Sequence, residues 1–189
     1  MADSLTIEEQ HILLRLARQA IDSAVRGLPL PAIDHEGLPD SLNQPGATFV
    51  TLTRFGELRG CVGALEAYQP LVDDVREHAA AAAMQDYRFP PVSPEELAQI
   101  KIEISQLTEP MEVEYGSAQE LATHIRPHVD GVTLFDGWRR ATFLPQVWAK
   151  LPNPGDFLGH LCEKMGSPPD HWRRHKLRAQ TYQVEEFRE

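Results

Sequence analysis

The chain has 189 residues, enough for one sizeable core or two small lobes, and its 42% apolar and 24% charged residues are ordinary for a soluble globular protein. A formal net charge of −10 works against broad nucleic-acid binding, because a phosphate backbone is repelled. The charge is uneven: between Arg139 and Arg178 eight Lys/Arg stand against three Asp/Glu, so that stretch carries +5 and permits an anionic ligand without requiring one.

The opening "MADSLTIEEQ" has no basic stretch leading into an apolar one, and no apolar run approaches bilayer length, which predicts a cytoplasmic protein. Cys61 and Cys162 are too far apart for a zinc-knuckle spacing, and a cytosolic setting disfavours a structural disulfide. A zinc site built from these cysteines and a histidine would lack any local ligand pair, so no metal is assigned and the cofactor is left open.

In chain order, Thr6 with Glu9 reads as a capping box, and Leu13, Leu16, Ala17, Ala20, Ile21 and Ala24 recur at helical spacing until Gly27. The proline-rich stretch 28–46 reads as an irregular wrap. "ATFVTLT" (47–53) and "LRGCVGA" (58–64) form a hairpin around a Gly-containing turn. Residues 69–86 make a helix opened by Pro70, whose alanine run suits close packing on a sheet; Asp73 and Asp74 read as its acidic first turn. Ser93, Pro94 and Glu96 start a short capped helix, and 100–107 alternates as a half-buried strand. A second hairpin follows, "GVTLF" (131–135) and "RRATFL" (139–144), with its turn at Asp136 and Gly137. Helical material over 145–151 and 156–165, the latter closed by Gly166, precedes a turn at Ser167 and Pro168 and a single final strand over 178–187. Both halves thus run hairpin, helix, helix, strand, an internal structural duplication. Trp138, Trp148 and Trp172 are expected to form an apolar patch that either serves a partner or caps the smaller half.

The stretch "LRGCVG" (58–63) sets an arginine and a cysteine between glycines. Strand alternation puts Arg59, Cys61 and Gly63 on one face. A guanidinium beside the thiol would favour thiolate and make Cys61 a nucleophile or acceptor; otherwise Cys61 is a small packed apolar residue. Gly60 and Gly63 admit either a ligand or the alanine-rich helix. Arg59 needs a carboxylate, a carbonyl or an anionic ligand, and Arg88 in "YRFPP" either caps the preceding helix or contacts a ligand. Of Arg139 and Arg140, alternation lets at most one face a shared site, and Arg140 is carried as the candidate. His160 is a general-base candidate or a packed residue beside Phe157, Leu158 and Leu161. The chain has no P-loop, dinucleotide-binding, nucleophile-elbow or H-E-x-x-H motif, and no cysteine cluster for iron–sulfur.

The blocks "ELRGCVGALEAYQPL", "AAAAAMQDYRFPPVSPEEL", "IEISQLTEPMEV", "GVTLFDGWRRATFLPQVW" and "DFLGHLCEKMGSPPDHW" resemble the AMMECR domain family, the A component of the AmmeMemoRadiSam system, with Val62 where the family motif usually has isoleucine. The resemblance implies a single AMMECR-type domain over 1–189, with an α+β fold of two unequal lobes. These are built from duplicated hairpin-helix-helix-strand units around a mixed, partly barrel-like sheet. It further implies a cleft shared by the lobes and association with a Memo-type protein and a radical SAM enzyme. Two functions follow. One is an enzyme or enzyme subunit of unassigned reaction, taking a small or peptidyl anionic substrate held by Arg59, Gly60, Gly63, Arg88 and Arg140, with Cys61 and His160 as catalytic groups. The other is a non-catalytic protein that presents substrate to those partners.

Overall fold

The computed structural model describes residues 4–189, which divide into two compact units. The larger takes in the chain up to Leu107 together with Glu185–Glu189, and the smaller is Thr108–Val184. The elements are α1 (Ile7–Val25), α2 (Asp40–Asn43), β1 (Pro45–Arg54), β2 (Glu57–Gly63), β3 (Gln69–Pro70), α3 (Leu71–Met84), β4 (Ile100–Leu107), β5 (Met111–Glu112), α4 (Ala118–His124), β6 (Gly131–Asp136), β7 (Arg139–Phe143), α5 (Pro154–Lys164), α6 (His171–Arg174), β8 (Arg178–Tyr182) and β9 (Val184–Arg188), with short 3-10 turns between some of them.

In the larger unit the capping box opens α1: Thr6 Oγ1 accepts from Glu9 N, and Glu9 Oε2 accepts from Thr6 N. The apolar stripe then buries Leu13, Ala17, Ala20 and Ile21. Two positive-φ residues, Phe55 and Gly56, make the two-residue turn between β1 and β2, the backbone twist such a hairpin needs. The sheet runs β2-β1-β4-β9, with β3 also paired to β1. Its Val50, Leu52, Ile100, Ile102 and Ile104 form one apolar core with α1 and the Val75, Ala79 and Ala82 positions of α3.

The smaller unit has the sheet β5-β8-β6-β7. Trp148 stacks on Phe157 with centroids 3.7 Å apart, and its indole N–H donates to Asp130 O at 2.7 Å, so the ring's polar atom is satisfied inside the core. Asn153 caps α5 by accepting from Gly155 N at 2.8 Å and Asp156 N at 3.3 Å, with Pro154 at the first helical position.

The α+β class holds, and the duplication is visible in topology: the path β2-β1-β4 in one sheet matches β7-β6-β8 in the other. Several expectations are corrected. In place of one mixed, partly barrel-like sheet there are two open sheets, and every resolved register in them is antiparallel. The strand expected over 178–187 breaks at Gln183 into β8 and β9, which join different sheets; Gln183 instead trades hydrogen bonds with Thr108, donating to its Oγ1 at 2.8 Å and accepting from its N at 2.9 Å. The second hairpin turns at Gly137 and Trp138, one residue later than expected. Trp148 and Trp172 belong to the core whereas Trp138 is 92% exposed at the hairpin tip, so the three do not form a patch. The wrap over 28–46 contains a 3-10 turn (His35–Gly37) and α2, and α4, capped by Ser117, was not anticipated.

Candidate functional site

The "LRGCVG" stretch is β2, one edge of its sheet. Leu52 pairs with Gly60 but Thr53 pairs with Leu58, so Arg59 is the extra residue of a β-bulge. The bulge interrupts the alternation that would put Arg59 and Cys61 on one face. Arg59 Nε and Nη2 donate to the two oxygens of Glu96 at 3.0 and 2.9 Å, and Nη1 and Nη2 donate to the carbonyls of Pro90 and Pro91. Its side chain is only 13% exposed. Arg54 Nη1 reaches the same carboxylate at 2.9 Å. The Arg59 hydrogen bond, then that from Ser93 N, and the charges of both arginines hold Glu96 down to about 2. Two guanidiniums thus share the Glu96 carboxylate, with Glu57 opposite Arg54 across the strand pair and Glu95 next in the chain.

Cys61 is half-buried, and its Sγ accepts from Thr51 Oγ1 at 3.3 Å, its partner across the strand pair. Its backbone faces the open edge and is covered by side chains that follow α3. Cys61 N donates to Asp86 Oδ2 at 2.8 Å, and Cys61 O accepts from Arg88 Nη2 at 3.2 Å. Arg88 also grips the buried Asp86 with Nε at 2.9 Å and Nη2 at 2.6 Å, so a guanidinium–carboxylate pair stands where a neighbouring strand would. That grip, helped by the amides of Cys61 and Arg88, pulls the Asp86 carboxyl far below the ordinary range and raises Arg88.

The glycines answer to packing. A Cβ on Gly60 would lie 2.1 Å from Ala82 O, and one on Gly63 2.3 Å from Thr48 O and 2.6 Å from Phe49 Cα. Gly60 thus lets α3 lie directly on the strand, and Gly63 lets β2 close on β1. Gly60 and Val62 point toward α3, while Cys61 points with Thr51 to the other side of the sheet.

Of the remaining candidates, His160 and Arg140 both lie in the smaller unit, whereas Cys61 lies in the larger. His160 is exposed on α5, with Nδ1 2.8 Å from Glu163 Oε2, rather than packed among Phe157, Leu158 and Leu161. Arg140 is exposed on β7, and Arg139 pairs with Asp136. Cys162 is fully buried, and burial pushes its thiol up. Asp73 and Asp74 stand in the first turn of α3 as expected, and Asp74 does more than complement the helix end. It is a fully buried carboxylate whose Oδ2 accepts from Thr48 N at 2.9 Å and Thr48 Oγ1 at 2.6 Å, with His78 Nδ1 at 3.1 Å. Its partners lie 26 residues away on β1 and one turn on along α3, so an acid in a helix's first turn gave no sign of them.

The family model described as AMMECR1 matches residues 14–187. The chain belongs to the AMMECR1 family. It is 40% identical to a protein of Methanothermobacter thermautotrophicus, over 98% of this chain and 96% of that one, and 34% identical to protein MJ0810 of Methanocaldococcus jannaschii, over 98% and 92%. Among solved structures, protein PH0010 of Pyrococcus horikoshii matches with a TM-score of 0.87 and 32% identity, over 98% of this chain and 93% of that one.

Chemically, this AMMECR1 chain offers at its glycine-rich strand a half-buried thiol, a solvent-facing Arg88 and a brace of internal ion pairs. Among the described residues no group of three His, Cys, Asp or Glu side chains is placed to hold a metal ion, and no helix is long and apolar enough to cross a membrane. Asp86 and Glu96 organise the site, yet neither drew notice as a functional position. The available signal was "MQDYRFPP", an acid two residues before an arginine and prolines, together with the Ser93–Glu96 capping pair.

Proposed function

We propose that the chain is a non-catalytic binding subunit of the AmmeMemoRadiSam system, acting in the cytosol and presenting substrate to a Memo-type protein and a radical SAM enzyme. The observation that carries this reading is the engagement of Arg59 by Glu96, Pro90 and Pro91. The guanidinium expected to anchor a substrate instead braces the Tyr87–Pro91 segment, with Arg88 doing the same from the other end. That braced segment presents Tyr87 at 96% exposure, and the neighbouring hairpin tip presents Phe55 at 79%. Rigidly held aromatics beside arginine are the composition of binding hot spots.

One observation favours the catalytic reading instead: Thr51 Oγ1 donates to a half-buried Cys61 Sγ, an orientation suited to a working thiol. Reconstitution with the two partners separates these. Tyr87→Ala and Phe55→Ala should each weaken co-purification with the Memo-type protein by about tenfold or more, while Cys61→Ser leaves it intact and the assembled system active. Loss of turnover in Cys61→Ser with assembly preserved would overturn the non-catalytic reading, and full assembly by Tyr87→Ala would remove the surface.

A further inference from the structure

The segment braced by Arg59 and Arg88 leads into three exposed prolines, Pro90, Pro91 and Pro94. Pro90 and Pro91 lie outside every helix and strand, and Pro94 opens the 3-10 turn that follows. A proline ring fixes φ at about −65°, and a residue that precedes proline is pushed to extended ψ, which sets Phe89 and Pro90. Ser93, before Pro94, has φ −89° and ψ 158°. These are polyproline II values, and burial along the segment has the same three-residue period. Phe89 is half-buried and Val92 buried, while Pro90 and Pro91 between them, and Pro94 beyond, face out. A polyproline II turn makes no hydrogen bonds of its own, so its carbonyls need donors from elsewhere. Arg59 supplies them: Nη1 donates to Pro90 O at 2.9 Å and Nη2 to Pro91 O at 3.3 Å. Val92 N donates to Ala83 O of α3 at 2.9 Å. The backbone is thereby tied down on its inner side with the rings left outward. Tyr87, 96% exposed, stands on the turn just before them, which Phe89 N closes by donating to Asp86 O at 3.0 Å.

We propose that Pro90 and Pro91, with Tyr87 on the preceding turn, are a preformed polyproline II ligand that docks in a groove of a partner protein lined by aromatic side chains. This deepens the binding role proposed above and rests on it. Exposed proline rings offer flat apolar faces, and aromatic-lined grooves read proline-rich segments by stacking on them. Docking usually costs conformational freedom in the segment that docks; here the rings and the Arg59 hydrogen bonds have fixed the backbone before contact. Strand addition does not fit this segment, because neither proline has an N–H to give a sheet edge. With the Pro90 and Pro91 carbonyls already engaged, recognition rests on the rings rather than on main-chain hydrogen bonds.

The test uses the full chain with the Memo-type protein and the radical SAM enzyme as probes, binding being read by surface plasmon resonance. The double variant Pro90→Ala, Pro91→Ala keeps the carbonyls that Arg59 holds, and an unchanged amide spectrum away from the segment verifies its fold. Its affinity for the probe that Tyr87→Ala weakens should fall by about tenfold or more. An oligoproline peptide at millimolar concentration should displace the parent chain from that probe, whereas a Gly–Ser peptide of the same length should not. That competition reads the parent chain, so it decides the matter even where the double variant fails to fold. If Tyr87→Ala weakens binding but the double variant binds like the parent, or oligoproline displaces no better than Gly–Ser, the proline ligand is refuted and the Tyr87 surface stands. Parent-like binding by Tyr87→Ala refutes the surface, and this inference with it.

Discussion

Gly60 offers the sharpest test of why the glycine-rich strand is built as it is. In Gly60→Ala the new methyl would start 2.1 Å from Ala82 O, where ordinary contact begins near 3.4 Å, so strand and helix must part by about 1.3 Å. The obstacle is a backbone carbonyl in the last turn of α3 rather than the end of a flexible side chain, and α3 is packed on α1 behind it. Overpacking of this kind costs about 3 kcal/mol, offset by roughly 0.5–1 kcal/mol from a less flexible unfolded chain, for a net loss of about 2 kcal/mol. Gly37→Ala, in the same unit, is the control, because its methyl meets only the end of the Asp34 side chain. Urea unfolding followed by circular dichroism should show a clearly lower midpoint for Gly60→Ala and a shift within about 0.5 kcal/mol for Gly37→Ala. Matching midpoints for the two variants would refute the packing account and return Gly60 to a ligand role.

Further outcomes are expected from the charged brace and the core. Glu96→Gln should destabilise the chain by about 3 kcal/mol, since it strands a mostly buried Arg59. Because Glu96 is depressed from 4.5 to about 2, its contribution is present above pH 4.5 and is lost as pH falls toward 2; acid unfolding curves should show Glu96→Gln losing less over that window than the parent. Asp86→Ala should raise hydrogen exchange at the Cys61 amide, whose acceptor is Asp86, far more than at amides of β1. In the native chain a disulfide reagent should modify Cys61 but not Cys162, with both reacting in denaturant; equal native reactivity would contradict the burial of Cys162. Tyr115→Phe should cost about 1–2 kcal/mol in thermal unfolding, because the Tyr115 hydroxyl both donates to Leu177 O and accepts from Leu177 N.

What could be read in the sequence was local. The Thr6–Glu9 box, the Pro70 start, the alternation over 100–107 and the positive-φ turn of the first hairpin are set by residues within a few positions of one another, and the structure keeps them. The break at Gln183 was hidden because no Gly, Pro, Asn or Asp marks it anywhere in 178–187. It is fixed by Thr108, 75 residues earlier. Arg59 shows the same limit: its need for an acid or carbonyl was legible, but the bulge that aims it and the Glu96 that receives it, 37 residues on, were not. The duplication was legible in the element order of the two halves and the family resemblance implied the α+β class, but neither carried the opening of the sheets.

The duplication also bears on how partners can be met. In each sheet the second hairpin strand is an edge, and a cation from the helical segment that follows the hairpin covers one of its carbonyls: Arg88 on Cys61 O at 3.2 Å, Lys164 on Thr142 O at 2.9 Å. Edges guarded by a charged side chain resist the pairing of another strand, which would have to displace that hydrogen-bonded cation. At β2 the barrier is higher, since Arg88 could leave Cys61 O only by loosening its hold on the buried Asp86, an acid that would then lack its principal counter-charge. On the binding role proposed above, recognition at the glycine-rich strand would run through projecting side chains such as Tyr87 and Phe55 rather than through strand addition. A partner contact that survived Tyr87→Ala but failed when the Cys61 edge was blocked would mean that the guard opens and that the brace is a gate.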